Sequence, residues 1–298
     1  MKQLTLFFSI LLAVALHSGL KSQESIPPYF RVVTSDKSVT EATEMVKSAL
    51  TDAGFEILGS YHPANNPDWT VVAFTRNDLK EVCYSVKERG ALAAVLRAGI
   101  MAKDGKTEVS FLNPMYQFWG YLRENVENHK VELNRVNKDV ATVMKSFGGQ
   151  VTGFGGNEEP DDLVDYHYMA FMPYFTDPVE LKTFSSFSEG LNTIRKNLSA
   201  GKGNTVKVYE LTDTDRQVAV FGVGLHDPDE GEGHFLPIIG ADHLPAMPYE
   251  IILQGKEATM LHGKFRFAIF WPELSMSEFM KIVSTPGDVE DALEALTE

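Results

Sequence analysis

The chain has 298 residues, 44% of them hydrophobic and 23% charged, and a formal net charge of −14. That apolar content supplies a core for one large domain or two ordinary ones and excludes a disordered chain. So acidic a surface repels phosphate backbones, so no nucleic-acid partner is expected, and the single cysteine, Cys83, cannot form an internal disulfide.

Residues 1–22 read as a targeting segment. Lys2 gives a positive start, residues 4–16 are apolar except for Thr5 and Ser9, and the small residues Ser18, Gly19 and Ser22 follow. This is the pattern of a secretory signal peptide. Cleavage is expected after Ser22, leaving Gln23 as the first residue of an exported chain, periplasmic or extracellular. The apolar run is shorter than the ~20 residues of a membrane span, and no span is expected after cleavage. Losing Lys2 and Lys21 takes the net charge from −14 to −16.

Residues 29–34 alternate and are β-branched, which predicts a strand. Ser38 precedes Glu41 by three, a capping box, and Ala42, Met45, Val46, Ala49 and Leu50 follow at helical spacing up to a stop at Gly54. Strands are predicted over 55–61 and 70–75, with a Pro/Asn loop between them, and then a helix capped by Asp78. Cys83, between Val82 and Tyr84, reads as a buried small hydrophobe. A hairpin is predicted with arms 96–102 and 107–112 around Asp104-Gly105. Asn113-Pro114 ends it and opens a helix bearing Tyr116, Phe118, Trp119 and Tyr121.

A long helix is predicted over 115–147, with Val126, His129, Leu133, Val136, Val140, Val143 and Phe147 in one stripe. Gly148-Gly149 ends it, and 153–162 reads as a flexible loop. The second half then repeats spacings of the first. Ser186 precedes Glu189 by three, and Ile194 and Leu198 follow Glu189 as Val46 and Leu50 follow Glu41. A strand is predicted over 206–211. Residues 217–225 are assigned to a helix by analogy with the first half, against the strand preference of Val218, Val220 and Val223. Gly263 precedes Trp271-Pro272 by the interval that separates Gly105 from Asn113-Pro114, which places a closing hairpin around Gly263, and Phe279 matches Tyr121.

The first half resembles the family called domain of unknown function 302 (DUF302). The resemblance rests on the strand, the Ser38-x-x-Glu41 cap, the Gly54-Phe55 stop and the hairpin ending in Asn113-Pro114. The second half has Leu244-Pro245, similar to a Leu-Pro element of that family, where the first half has Leu96-Arg97, and it has Trp271-Pro272 in place of Asn-Pro. The resemblance implies a compact α+β fold, often dimeric, with no established activity and no catalytic residues to carry over. The expected fold is thus α+β, with two similar units, each an antiparallel sheet backed by helices, joined by a long helix. The boundaries are 1–22 for the signal, 23–123 for the first DUF302-like unit, 124–162 for the linking helix and loop, and 163–298 for a diverged second unit.

Four of the eight histidines, His226, His234, His243 and His262, fall between 226 and 262, the first three among Asp227, Asp229, Glu230, Glu232 and Asp242. Imidazole with carboxylate suits a divalent metal, which makes His226, His234 and His243 candidate ligands, although no known metal signature matches the spacing. Residues 236–249 are apolar and proline-stiffened yet carry Asp242 and His243. Charged groups in such a segment need partners, because burying one unpaired costs several kcal/mol. His243 is expected to be held by an acid, and Asp242 by His243 or Arg266. A ligand site is therefore placed at Asp242, His243, Tyr249 and Arg266, with Tyr116 and Trp119 as further wall residues.

No dinucleotide loop or nucleophile elbow is present, and no cofactor is expected. The favoured reading is a non-enzymatic exported protein that binds a small apolar or amphipathic molecule. Two alternatives stay open. One is a metal-dependent enzyme using the histidine–acid region, and the other is a structural protein forming a homodimer through the linking helix at Leu133 and Val140.

Overall fold

The computed structural model describes residues 24–33 and 36–298; the signal segment lies outside the described residues. The first unit runs β1 (Tyr29–Val33), α1 (Val39–Asp52), β2 (Glu56–Tyr61), β3 (Trp69–Thr75), α2 (Asn77–Ser85), β4 (Leu96–Lys103), β5 (Lys106–Leu112) and α3 (Pro114–Leu122). Then come α4 (Asn125–Asn128), α5 (Lys130–Ser146), β6 (Val151–Phe154) and α6 (Pro160–Val164). The second unit runs β7 (Val179–Thr183), α7 (Phe187–Ser199), β8 (Thr205–Asp213), β9 (Val218–Leu225), α8 (Glu232–Ile239), β10 (Tyr249–Gln254), β11 (Glu257–Met260) and α9 (Gly263–Phe270), closed by α10 (Met276–Phe279) and α11 (Thr285–Ala295).

The fold is α+β, with two similar units. The sheets are antiparallel, in the orders β2-β3-β4-β5-β1-β6 and β7-β11-β10-β9-β8. Without β6 the first order is the second read backwards, strand for corresponding strand. The local chemistry matches too. Ser38 and Ser186 both cap helices by accepting from the backbone N–H three residues on, at 3.2 and 3.1 Å. β2 and β8 each break register at the same place in the strand, between Ile57 and Gly59 and between Lys207 and Tyr209. Asn113 caps α3 through its side chain, and His262 caps α9 in the same way.

Several expectations need correction. Residues 218–225 are strand β9, not helix, and all eight are buried. A central strand covered on both faces reads as a continuous apolar run, without the alternation of a half-exposed strand. The closing hairpin of the second unit is β10–β11 around Gly255-Lys256, and the residues around Gly263 form helix α9. The counterpart of Leu112-Asn113-Pro114 is therefore Leu261-His262-Gly263, and Trp271-Pro272 ends a helix. The long helix is three pieces, interrupted at Arg123, which has φ +55°, and at His129. α2 is capped at Arg76 rather than Asp78, whose carboxylate pairs with Arg76. Residues 153 and 154, read as the start of a loop, belong to β6, which pairs beside β1. The stripe of α5 is spent inside the chain. Leu133, Val136, Val140 and Val143 are buried against α1, α2 and α3, so they present no dimer face.

Each sheet carries its own first helix on one face, while the 3-10 turn before the closing hairpin of either unit packs on the sheet of the other. The turn Ala241–Ala246 lies on β4 and β5, where a Cβ at Gly99 would come within 2.8 Å of Leu244. The outer strands β2 and β8 meet so closely that a Cβ at Gly59 would stand 2.0 Å from the Val208 carbonyl oxygen.

Between the units lies a buried ionic network. Arg97 and Glu250 are the second residues of β4 and β10, and Gln117 and Arg266 are the fourth residues of α3 and α9. Arg97 donates to Glu250, to the Gln117 side-chain oxygen at 3.0 Å and to the Pro245 carbonyl at 3.0 Å. Arg266 lies 3.3 Å from the other Glu250 oxygen and donates to the Pro248 carbonyl at 2.9 Å. Removing the one carboxylate leaves two buried guanidiniums uncompensated. Glu250→Leu is expected to cost about 3–5 kcal/mol in urea unfolding, and the triple variant Arg97→Met/Glu250→Leu/Arg266→Met distinctly less. A Glu250→Leu protein within ~1 kcal/mol of wild type would show that the network does not hold the units.

Candidate functional site

Helix α9 presents Lys264, Phe267, Ala268 and, at its end, Trp271 at i, i+3, i+4 and i+7, so the four share one face. They floor an apolar trough of about 60 Å³. One wall is Tyr168, Met169 and Met172, from the segment between α6 and β7; the other is Leu274, Met276 and Phe279. A capping box between Ser275 and Glu278 fixes the start of α10 and thereby the second wall. The first wall belongs to residues 166–175, which contain no Asp, Glu, Lys or Arg. Its ends are anchored. The Tyr166 hydroxyl donates to the Ala268 carbonyl at 2.8 Å, and Phe175 packs on Tyr121 and Phe265. Its middle stands in solvent, with Phe171 fully exposed and Tyr168 and Met169 partly so. Met276, Met280 and Val283 are exposed as well. Trp271 is buried, and its indole N–H meets no acceptor among the described residues.

Trp271 also touches a second constellation. His243 stacks on it at 5.7 Å between centroids and 24° between planes, and is enclosed edge-on by Tyr29 and Phe154 at 5.0 and 5.6 Å. The imidazole Nδ1 lies 3.0 Å from Asp242 Oδ1, while Asp242 Oδ2 accepts from Arg31 at 2.9 Å. Arg31 also pairs with Glu108 at 2.6 Å and lies 4.2 Å over the Phe154 ring. The hydrogen bond to His243 holds the Asp242 carboxyl down to about 2; burial opposes this, and the charges of His243, Lys103 and Arg31 assist it. β1 and β5 of the first unit, β6 of the linking segment and the Ala241–Ala246 turn of the second unit build this site together. A carboxylate at Nδ1 fixes the orientation of the imidazole.

Of the residues singled out in the sequence, the structure brings Asp242 and His243 together. Asp242 is held by Arg31, not by Arg266, because Arg266 is engaged with Glu250. Tyr249 is buried beneath the Arg266 guanidinium, 5.1 Å from it. Tyr116 donates to the Ile269 carbonyl at 2.8 Å, and Trp119 is buried in the core; none of these four lines the trough. The apolar, proline-stiffened residues 236–249 contain the end of α8 and the 3-10 turn Ala241–Ala246. The residues that do line the trough carry one signal in the sequence, the uncharged run 166–175. The candidate metal ligands do not converge: among the described residues no group of three or more His, Cys, Asp or Glu side chains is placed to hold a metal ion. His234 is half-buried on α8, and His226 stacks on Tyr61 at 6.3 Å.

No protein-family profile matches the chain, and no curated protein does. Among solved structures it is similar to the crystal structure of an uncharacterized conserved DUF302 protein from Bacillus stearothermophilus. The two share 12% identity with a TM-score of 0.35, over 40% of this chain and 96% of that one. No helix among the described residues is long and apolar enough to cross a membrane.

The acidic region contains one buried carboxyl, Glu232. It accepts from the Tyr61 hydroxyl at 2.7 Å and the Ala64 N–H at 3.0 Å, both from the first unit. Burial pushes it up to about 7, against the pull of those hydrogen bonds. The folded protein therefore keeps a proton that the unfolded chain releases near the ordinary carboxyl range. This contribution to stability is complete below about pH 4.5 and is lost as pH rises through about 7. Wild type is expected to lose about 2–4 kcal/mol between pH 4.5 and 8 in urea unfolding, and Glu232→Gln to flatten that slope. An unchanged slope in the variant assigns it to other groups.

Proposed function

We propose that the protein is an exported, non-enzymatic binding protein for a small apolar or amphipathic molecule, and that the ligand lies in the trough on α9. The observation that carries this reading is a wall of uncharged, partly exposed Tyr, Met and Phe side chains over an apolar floor. Soluble proteins seldom leave such surface open without a use for it. Methionines adapt to irregular apolar shapes, and here Met169, Met172 and Met276 supply much of the wall.

The two units are read as tandem copies of one DUF302-like domain. Matching strand order, matching caps at Ser38 and Ser186, and matching positions of Arg97 with Glu250 and of Gln117 with Arg266 support this. Export rests on Lys2 and the apolar run 4–16. The mature protein is expected to begin at Gln23 and to be found outside the cytoplasm. N-terminal sequencing that finds Met1 on protein in the cytoplasm removes export from the reading.

Filling the trough tests the binding function. Ala268 is half-buried on its floor, so Ala268→Trp occupies the space with little change to the core. A neutral solvatochromic dye is expected to brighten on wild type and not on the variant, at equal melting temperature within a few degrees. Equal dye binding by both proteins rules the trough out.

A further inference from the structure

Resting on that reading, we infer that the ligand is a single-chain amphiphile with an anionic head, held by Lys264 at one end of the trough while its chain runs along α9 towards Trp271. Lys264 is the only charged residue in the lining. It is exposed, and it forms no ion pair among the described residues. No carboxylate lines the trough, on a chain whose formal net charge is −14. A lone cation at the edge of an apolar slot that no carboxylate lines complements a carboxylate, sulfate or phosphate head and disfavours a cationic one.

The geometry supports a chain. Lys264 and Trp271 are seven residues apart on one helical face, which separates them by about 10 Å along the axis. Between them the floor is Phe267 and Ala268, with no polar side chain. The large side chain of Phe267 and the small one of Ala268 leave a groove rather than a flat patch. The flexible stem of Lys264 lets its ammonium follow the head while remaining in water, so the head need not be desolvated in full. The Coulomb gain is then that of a part-exposed pair: enough to rank ligands by head group, while the apolar contacts supply most of the affinity.

Decanoate, decanol and decyltrimethylammonium share a chain and differ in head. Titrated into the full-length mature protein, with tryptophan fluorescence as the readout, decanoate is expected to bind about tenfold more tightly than decyltrimethylammonium. Decanol should fall between them, and added salt should narrow the gap. Lys264→Gln should level the series, and Lys264→Glu should invert it. Lys264 is exposed, so both variants are expected to keep the wild-type circular dichroism, which is checked first. Equal affinity for all three heads, or an order that survives Lys264→Glu, overturns the anionic-head assignment and leaves the apolar trough standing. Failure of all three probes to bind overturns the binding function itself and this inference with it.

Discussion

Everything in this fold is arranged around three buried charges that must find one another. Arg97, Arg266 and Glu250 are almost fully removed from water, and in such surroundings an unpaired ion costs several kcal/mol while a directed pair recovers much of that cost. The two arginines come from different units and share one carboxylate. Neither unit can then move relative to the other without stranding a charge. The close approaches follow from this constraint. Gly59 lets β2 meet β8, and Gly99 lets the Ala241–Ala246 turn settle on β4. The carbonyls of Pro245 and Pro248 point at the guanidiniums and take up further N–H groups.

The network also shows how two similar units differ. At corresponding positions the first unit carries Arg97 and Gln117, and the second carries Glu250 and Arg266. Four identical residues placed there could not neutralise one another. Unlike residues can, and the neutral Gln117 holds Arg97 in place from within the first unit. Its oxygen accepts from Arg97, and its amide donates to the Ala93 and Val95 carbonyls at 3.1 Å each. Two units that are alike in backbone are thereby specific in how they pair.

The sequence was most legible where local chemistry decides the backbone. Ser38 with Glu41, Gly54, Asp104-Gly105 and Asn113-Pro114 each name a cap, a stop or a turn, and the structure has each feature at that place. It was least legible where tertiary burial decides. β9 lacks alternation because both its faces are covered, and α9 was hidden because His262 and Gly263 do the work of Asn113 and Pro114 with different side chains. Site residues divide along the same line. Asp242 and His243 announced themselves as charges in an apolar, proline-rich segment. Arg31 could not, because only the pairing of β1 with β5 and β6 brings it to Asp242. The trough is joined from two stretches far apart in the chain, 168–172 and 264–279, and its one sequence signal, ten residues without a formal charge, has no periodicity to attract notice.

Trp271 joins the two sites into one surface. One of its neighbours is His243, tied through Asp242 and Arg31 to β1 and Glu108 of the first unit; the others are the apolar side chains of the trough. The indole is enclosed by Phe267 at 5.6 Å and by the imidazole at 5.7 Å, so it has little room to turn by itself. The histidine stacked on Trp271 is fixed by a carboxylate already committed to an arginine of the other unit. Interiors packed this closely pass displacement from contact to contact. Trp271 thus packs both on the trough and on the histidine tied to the contact between the two units, and its own N–H is left without an acceptor among the described residues.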